Sequence, residues 1–169
     1  MVLVVDDAVD TLRMLTDVLE EEGYAVLVAV SAAQALEIVE RTPPALILMD
    51  ALMPDMDGFE MTRRLKSNIG TRDIPVVFMT GLTATADVIR GFQAGGVDYV
   101  TKPVVIPTLL ARVRTHITTA RQSAATTELL DAEGRFLLAV DENGRVRWAS
   151  RKAAHLLAEL SQGGAVALQ

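Results

Sequence analysis

Three carboxylates, a hydroxyl and an amine in this sequence have types and placements suited to metal and phosphorus chemistry. They are Asp6, Asp7, Asp50, Thr80 and Lys102, each at or just after the end of a different short apolar run, with Asp6 and Asp7 sharing one. Carboxylates gathered in one crevice repel each other, and without a cation at least one takes up a proton at neutral pH. A divalent metal removes that conflict. The donors are hard oxygens with no Cys or His nearby in sequence, which favours Mg2+ over zinc, with several waters kept on the ion. A carboxylate beside Mg2+ is a competent nucleophile toward phosphorus, and phosphoryl transfer needs mainly positioning and charge neutralisation. On this reading one of the three carboxylates, Asp6, Asp7 or Asp50, is the nucleophile. Lys102 meets one phosphoryl oxygen, Thr80 a second, and the metal the third.

A single Asp after a strand is more often a turn residue or a helix cap. A shared site therefore requires elements that bring these residues together. Apolar, β-branched runs at Val2–Val5, Tyr24–Ala29, Ala45–Met49, Val76–Met79 and Val97–Val100 alternate with helical patterns near 9–22, 32–41, 58–67, 85–94 and 107–120. Right-handed crossovers turn that alternation into an α/β, doubly wound, five-stranded parallel sheet covered on both faces. Ligands on such sheets gather at the carboxyl ends of the strands, where all five side chains fall. Ser31 with Gln34 predicts a capping box, Gly23 a helix stop, and Pro43 with Pro44 another.

Composition sets the outer bounds. The chain has 169 residues, 50% hydrophobic and 22% charged, enough for one domain and a shorter appendage. The formal net charge of −6 resides wholly in the first 120 residues, so no basic footprint for nucleic acid is offered. The absence of cysteine excludes disulfides and thiolate metal sites. No stretch has the length of a membrane span, and a cytoplasmic protein that binds neither membrane nor nucleic acid directly is expected. Past residue 120 the character changes: 121–132 reads as an extension of the fifth helix or a linker, and 133–169 as strand, Asn-Gly turn, strand and a helix over 151–160.

Across residues 1–120 the sequence resembles a response regulator receiver domain of two-component systems. The segments that carry the likeness are VLVVDD, ALILMDALMPDMDGFE, VVFMTG and GGVDYVTKP. The resemblance implies a flavodoxin-like sheet in the order 2-1-3-4-5 and a phosphorelay in which a sensor histidine kinase phosphorylates Asp50. It implies that Asp7 ligates Mg2+ directly, that Asp6 helps directly or through water, and that the Leu52 backbone carbonyl completes the protein ligands. Thr80 and Tyr99 become a switch pair, Lys102 the phosphate-binding lysine, and Pro103 follows a cis bond.

On this reading phosphate on Asp50 draws the Thr80 hydroxyl inward, Tyr99 turns into the vacated space, and the surface of helix 4, strand 5 and helix 5 changes. That surface would control an output module, expected to be transcriptional, and no independent substrate is turned over. Leu52 and Leu82 flank the acid site and cannot orient a water, so self-dephosphorylation is expected to be slow. Leu110, Val113, Ile117, Ala120, Ala124 and Thr127 follow heptad spacing, of which the first three suit packing on the sheet. A homodimer is expected through helix 4, strand 5 and helix 5, with Asp98 meeting Arg112 or Arg114 across a twofold axis. Residues 133–169 resemble the opening of a PAS-type module. The competing reading is an unphosphorylated interaction module on the same fold, which would have no need of the clustered carboxylates.

Overall fold

The computed structural model describes residues 1–68, 70–81, 85–132, 136–142, 144, 146–150, 152–153 and 155–157. Two compact units result, Met1–Ala120 and Arg121–Gln169. In the first, β1 (Val2–Val5), β2 (Val26–Ala29), β3 (Leu46–Asp50), β4 (Val76–Thr80) and β5 (Asp98–Thr101) form a parallel sheet in the order β2-β1-β3-β4-β5. Every residue of β1, β3 and β4 is buried. Burial on both faces is why these strands read as continuous apolar runs rather than alternating ones.

The sheet is covered by α1 (Val9–Glu21) and α5 (Ile106–Ala132) on one side and by α2 (Ala32–Arg41) and α3 (Gly58–Ser67) on the other, with α4 (Thr85–Gln93) against β5. Strand residues divide between the two faces by parity. Val2, Val4, Leu46, Leu48, Val77 and Met79 meet Leu12, Leu15 and Leu19 of α1 and Leu109, Val113 and Ile117 of α5. Leu3, Val5, Ile47, Met49 and Phe78 meet Ala35 and Val39 of α2 and Phe59 and Leu65 of α3. Each fully buried Leu or Phe contributes about 1.5–3 kcal/mol relative to exposure, so these two layers carry the fold.

Local signals set the helix ends. Ser31 Oγ accepts from the Gln34 N–H at 3.3 Å, while Gln34 Oε1 accepts from the Val30 N–H at 2.9 Å. The predicted capping box thus returns its second bond one residue before Ser31. Gly23 has φ 81 and ends α1 in the left-handed region, which glycine enters without steric cost. Pro107 sits in the first turn of α5, where its missing N–H costs nothing. The helix then runs to Ala132, because no Gly or Pro interrupts it and RQSAATTELLDA contains good helix formers. Of the heptad set, Val113 and Ile117 are buried in this layer and Leu110 packs against it partly buried, with Leu109 beside them fully buried.

In the second unit β6 (Leu138–Val140) and β7 (Val146–Ala149) pair antiparallel. Ser150 closes the hairpin, its N–H donating to Leu137 O at 2.9 Å and its Oγ accepting from the Leu137 N–H at 3.1 Å. Gly144 has φ 76, as a turn requires, while Asn143 of the expected Asn-Gly pair lies outside the described residues. Of the helix expected over 151–160, residues 152–153 and 155–157 are helical and the rest lie outside the described residues.

Candidate metal and phosphoryl site

Register brings the acidic residues into one row. Val5 of β1 pairs with Met49 of β3, Asp50 with Met79 of β4, and Thr80 with Thr101 of β5. The residues that end or follow these strands therefore share the carboxyl edge of the sheet. Asp50 and Thr80 are the last residues of β3 and β4 rather than the first beyond them, because the ladder continues through both.

Asp6, Asp7 and Asp50 each present a carboxylate oxygen within 4.8 Å of the others. Asp6 and Asp50 are buried and Asp7 is exposed. Asp6 Oδ1 accepts from the Ala8 N–H at 2.9 Å, and Asp50 Oδ1 accepts from the Leu52 N–H at 3.1 Å. The remaining oxygens face Lys102, whose ammonium donates to Asp6 Oδ2 at 2.8 Å and to Asp50 Oδ2 at 2.7 Å. Burial pushes the Asp50 carboxyl above its ordinary value, and the Lys102 and Leu52 hydrogen bonds pull it part of the way back. Burial alone would lower Lys102, but its bonds to Asp50 and Asp6 outweigh that and hold the ammonium above its usual range.

This donor set fits Mg2+. The three carboxylates are hard oxygens close enough to share one small dication, and the open side at Asp7 leaves room for the waters that Mg2+ retains. Leu52, whose N–H donates to Asp50, is 53% exposed. Leu82, the other flanking position singled out in the sequence, lies outside the described residues.

Thr80 is buried at the end of β4, and Tyr99 is half-buried in β5. Both line one apolar cleft together with Phe59, Phe78, Val88, Gly91, Phe92 and Asp98. Tyr99 meets Phe92 edge-on at 6.3 Å between ring centres. The bond between Lys102 and Pro103 is cis.

Within the single chain, the residues expected at a twofold axis already make ion pairs. Asp98 accepts from Arg112 through one oxygen and, at 3.0 Å, from His116 through the other, while Arg114 reaches Glu22 at 3.3 Å. Arg112 and His116 stand four residues apart and so share the face of α5 that looks at β5. His116 went unnoticed in the sequence, although that spacing could have revealed it.

A sheet in this order, with carboxylates from two strand ends and a lysine from a third at its carboxyl edge, defines a receiver-type α/β domain. The chain belongs to the response regulator receiver domain family, which it matches over residues 2–114. It is 39% identical to the response regulator PleD of Caulobacter vibrioides over 171 residues, 92% of this chain and 37% of that protein. It is 42% identical over 120 residues to a protein of Vibrio cholerae named as a probable cyclic di-GMP phosphodiesterase, covering 71% of this chain and 27% of the other. The chain thus spans well under half the length of these two relatives. Among solved structures, the signal receiver domain of a signal transduction histidine kinase from Syntrophus aciditrophicus aligns with a TM-score of 0.66 and 34% identity, covering 70% of this chain and 89% of that one. The flavodoxin-like fold expected from the sequence is the fold these neighbours share. No helix among the described residues is long and apolar enough to cross a membrane.

Proposed function

We propose that this chain is the phosphoryl-accepting receiver of a two-component relay, taking a phosphoryl group on Asp50 from a sensor histidine kinase in the cytoplasm. The observation that supports it most is the convergence of Asp6, Asp7 and Asp50 within 4.8 Å, with Lys102 bonded to two of them. An oxygen of Asp50 bonds to phosphorus as the P–N bond to the kinase's phosphohistidine breaks, and the departing imidazole takes up a proton. Mg2+ held by Asp6, Asp7, Asp50 and the Leu52 backbone carbonyl would neutralise charge on the phosphoryl oxygens. Lys102 needs only to follow the negative charge from the carboxylate to the phosphoryl group, and the Thr80 hydroxyl meets another of its oxygens.

The shared cleft of Thr80 and Tyr99 supports their role as the switch pair, since a Thr80 drawn toward phosphate leaves space that the Tyr99 ring can enter. The α4–β5–α5 face then passes the signal on. The Vibrio relative bears the name of an enzyme, so an enzymatic output stands beside the transcriptional one expected from the sequence. The chain itself turns over no independent substrate on this reading. A homodimer through the same face would rest on the exposed Ile89, Phe92 and Val97, because Asp98 already has partners. Residues 1–120 form the receiver in this scheme, 121–132 extend its last helix, and 133–169, with the β6–β7 hairpin, open a PAS-type module.

The test is uptake from a small phosphodonor. Acetyl phosphate with Mg2+ should add one phosphoryl group by intact mass, and a chelator should abolish the addition. Equal uptake with and without Mg2+ would overturn the proposed ion.

A further inference from the structure

Asp57 makes two connections at once. Its Oδ1 accepts from the Glu60 N–H at 2.7 Å and so caps α3, while its Oδ2 accepts from Arg90 Nη2 of α4 at 3.3 Å. The Arg90 guanidinium carbon also lies 4.6 Å from the centre of the Phe59 ring. Charge and ring face together hold α4 to the start of α3. Glu60, the acidic neighbour in the same turn, is engaged elsewhere, its two carboxylate oxygens bonded to Arg63 and Arg64.

The start of α3 leans in turn on the acceptor. The Gly58 N–H donates to Ala51 O at 3.1 Å, and a Cβ on Gly58 would stand 2.2 Å from the Asp50 carbonyl oxygen. A continuous path of contact therefore runs from the Asp50 main chain through Gly58 and Asp57 to Arg90. At its far end α4 rests on an aromatic bed: a Cβ on Gly91 would lie 3.2 Å from Phe78, whose ring packs on Phe59 at 5.0 Å between centres. Gly91 and Phe92 of α4 also line the cleft that holds Thr80 and Tyr99. Any movement of α4 over that cleft must strain or break the Arg90 contacts.

We propose that Arg90 is a positioning residue, latching α4 to the acceptor loop through Asp57 and Phe59 and thereby restraining phosphorylation of Asp50. The proposal rests on the phosphoryl-acceptor reading above. The latch coexists with an Asp50 whose two oxygens are taken by the Leu52 N–H and Lys102, the arrangement of an unmodified side chain. If uptake shifts α4, whatever resists the shift resists the uptake, because coupling between two sites is reciprocal. The Arg90 side chain is half exposed in its pairing with Asp57 and lies over the buried Phe59 ring; each contact is individually weak, so the restraint is modest.

The test follows the rate of phosphoryl uptake from acetyl phosphate with Mg2+ on the full chain by intact mass, comparing it with Arg90→Gln, Asp57→Asn, the double variant and Arg90→Lys. Asn at 57 keeps an oxygen for the Glu60 N–H, so α3 stays capped. Arg90→Gln and Asp57→Asn should each speed uptake about two- to tenfold, the span of one weak exposed contact or two acting together. The double variant should be no faster than Arg90→Gln alone, which already removes both contacts, and Arg90→Lys should fall back toward the unaltered rate. Unchanged or slower uptake in Arg90→Gln, or effects that multiply in the double variant, would overturn the latch. A lower melting temperature with no gain in rate would likewise assign Arg90 a merely structural role. If the unaltered chain takes up no phosphoryl group, it is the acceptor reading that fails; if it does and Arg90→Gln matches it, only the latch fails.

Discussion

Lys102 donates to Asp50 across 2.7 Å although 52 residues separate them, and the same ammonium reaches Asp6. A cation from beyond β5 thus already neutralises carboxylates at the ends of β1 and β3. Replacing it with an apolar side chain strands those carboxylates in a buried setting. Lys102→Met should lower stability by about 1–3 kcal/mol in Mg2+-free buffer, the usual cost of a buried polar group left unpaired. Added Mg2+ should recover part of the loss, since a ligand that binds the folded state stabilises it. Urea unfolding with and without Mg2+ measures both, and midpoints indifferent to Mg2+ would count against the shared site.

The Asp98 cluster makes stability depend on pH. Burial alone would raise the Asp98 carboxyl, but His116, Arg112 and the Tyr99 N–H together outweigh it and hold the group below its ordinary value. A carboxyl lowered in the folded state adds stability above its unfolded value of about 3.9 and loses it as pH falls through the folded value. The urea midpoint should therefore drop on acidification, and Asp98→Asn should flatten part of that drop. A variant as acid-sensitive as the unaltered chain would show that the cluster contributes nothing.

Leu52, exposed beside Asp50, has no group that could orient a water. Once formed, the phosphoryl group on the isolated chain should persist for minutes or longer, and Leu52→Asn should shorten its life several-fold. Timed intact-mass spectra after removal of the donor supply the measurement. A lifetime of seconds in the unaltered chain would contradict the reading.

Gly58 is fixed by contact rather than by backbone freedom. Its missing side chain lets α3 start against the Asp50 carbonyl, which a Cβ would meet at 2.2 Å. Gly58→Ala should cost about 1–3 kcal/mol or more, as forced overpacking does. Uptake at Asp50 should also slow, since the acceptor loop must move. Unfolding curves and uptake rates together would show whether both effects appear.

The sheet was legible because β1, β3 and β4 are buried on both faces and leave unbroken apolar runs that turn residues punctuate. The site was legible for a related reason: parallel strands align their carboxyl ends, so Asp6, Asp7, Asp50, Thr80 and Lys102 could be assigned to one edge before any distance was known. What escaped were pairings set by how helices rotate against the sheet. Nothing in the spacing of Asp57 and Arg90 announces that α3 and α4 meet there, and heptad counting does not pick out Leu109, which α5 buries beside Leu110. The intrachain bonds of Asp98 to Arg112 and His116 likewise depend on which face of α5 turns inward. For 121–132 the sequence left two readings, since small polar residues suit a linker and a helix alike, and the segment is the continuation of α5.

The central claim is that Asp50 carries the phosphoryl group, and mapping the modified residue tests it most directly. After exposure to acetyl phosphate and Mg2+, borohydride reduction converts an aspartyl phosphate to homoserine, which tandem mass spectrometry of peptides can place. The account expects the label at residue 50 alone, and none in Asp50→Asn. A label elsewhere in the unaltered chain, or undiminished uptake in Asp50→Asn, would contradict it.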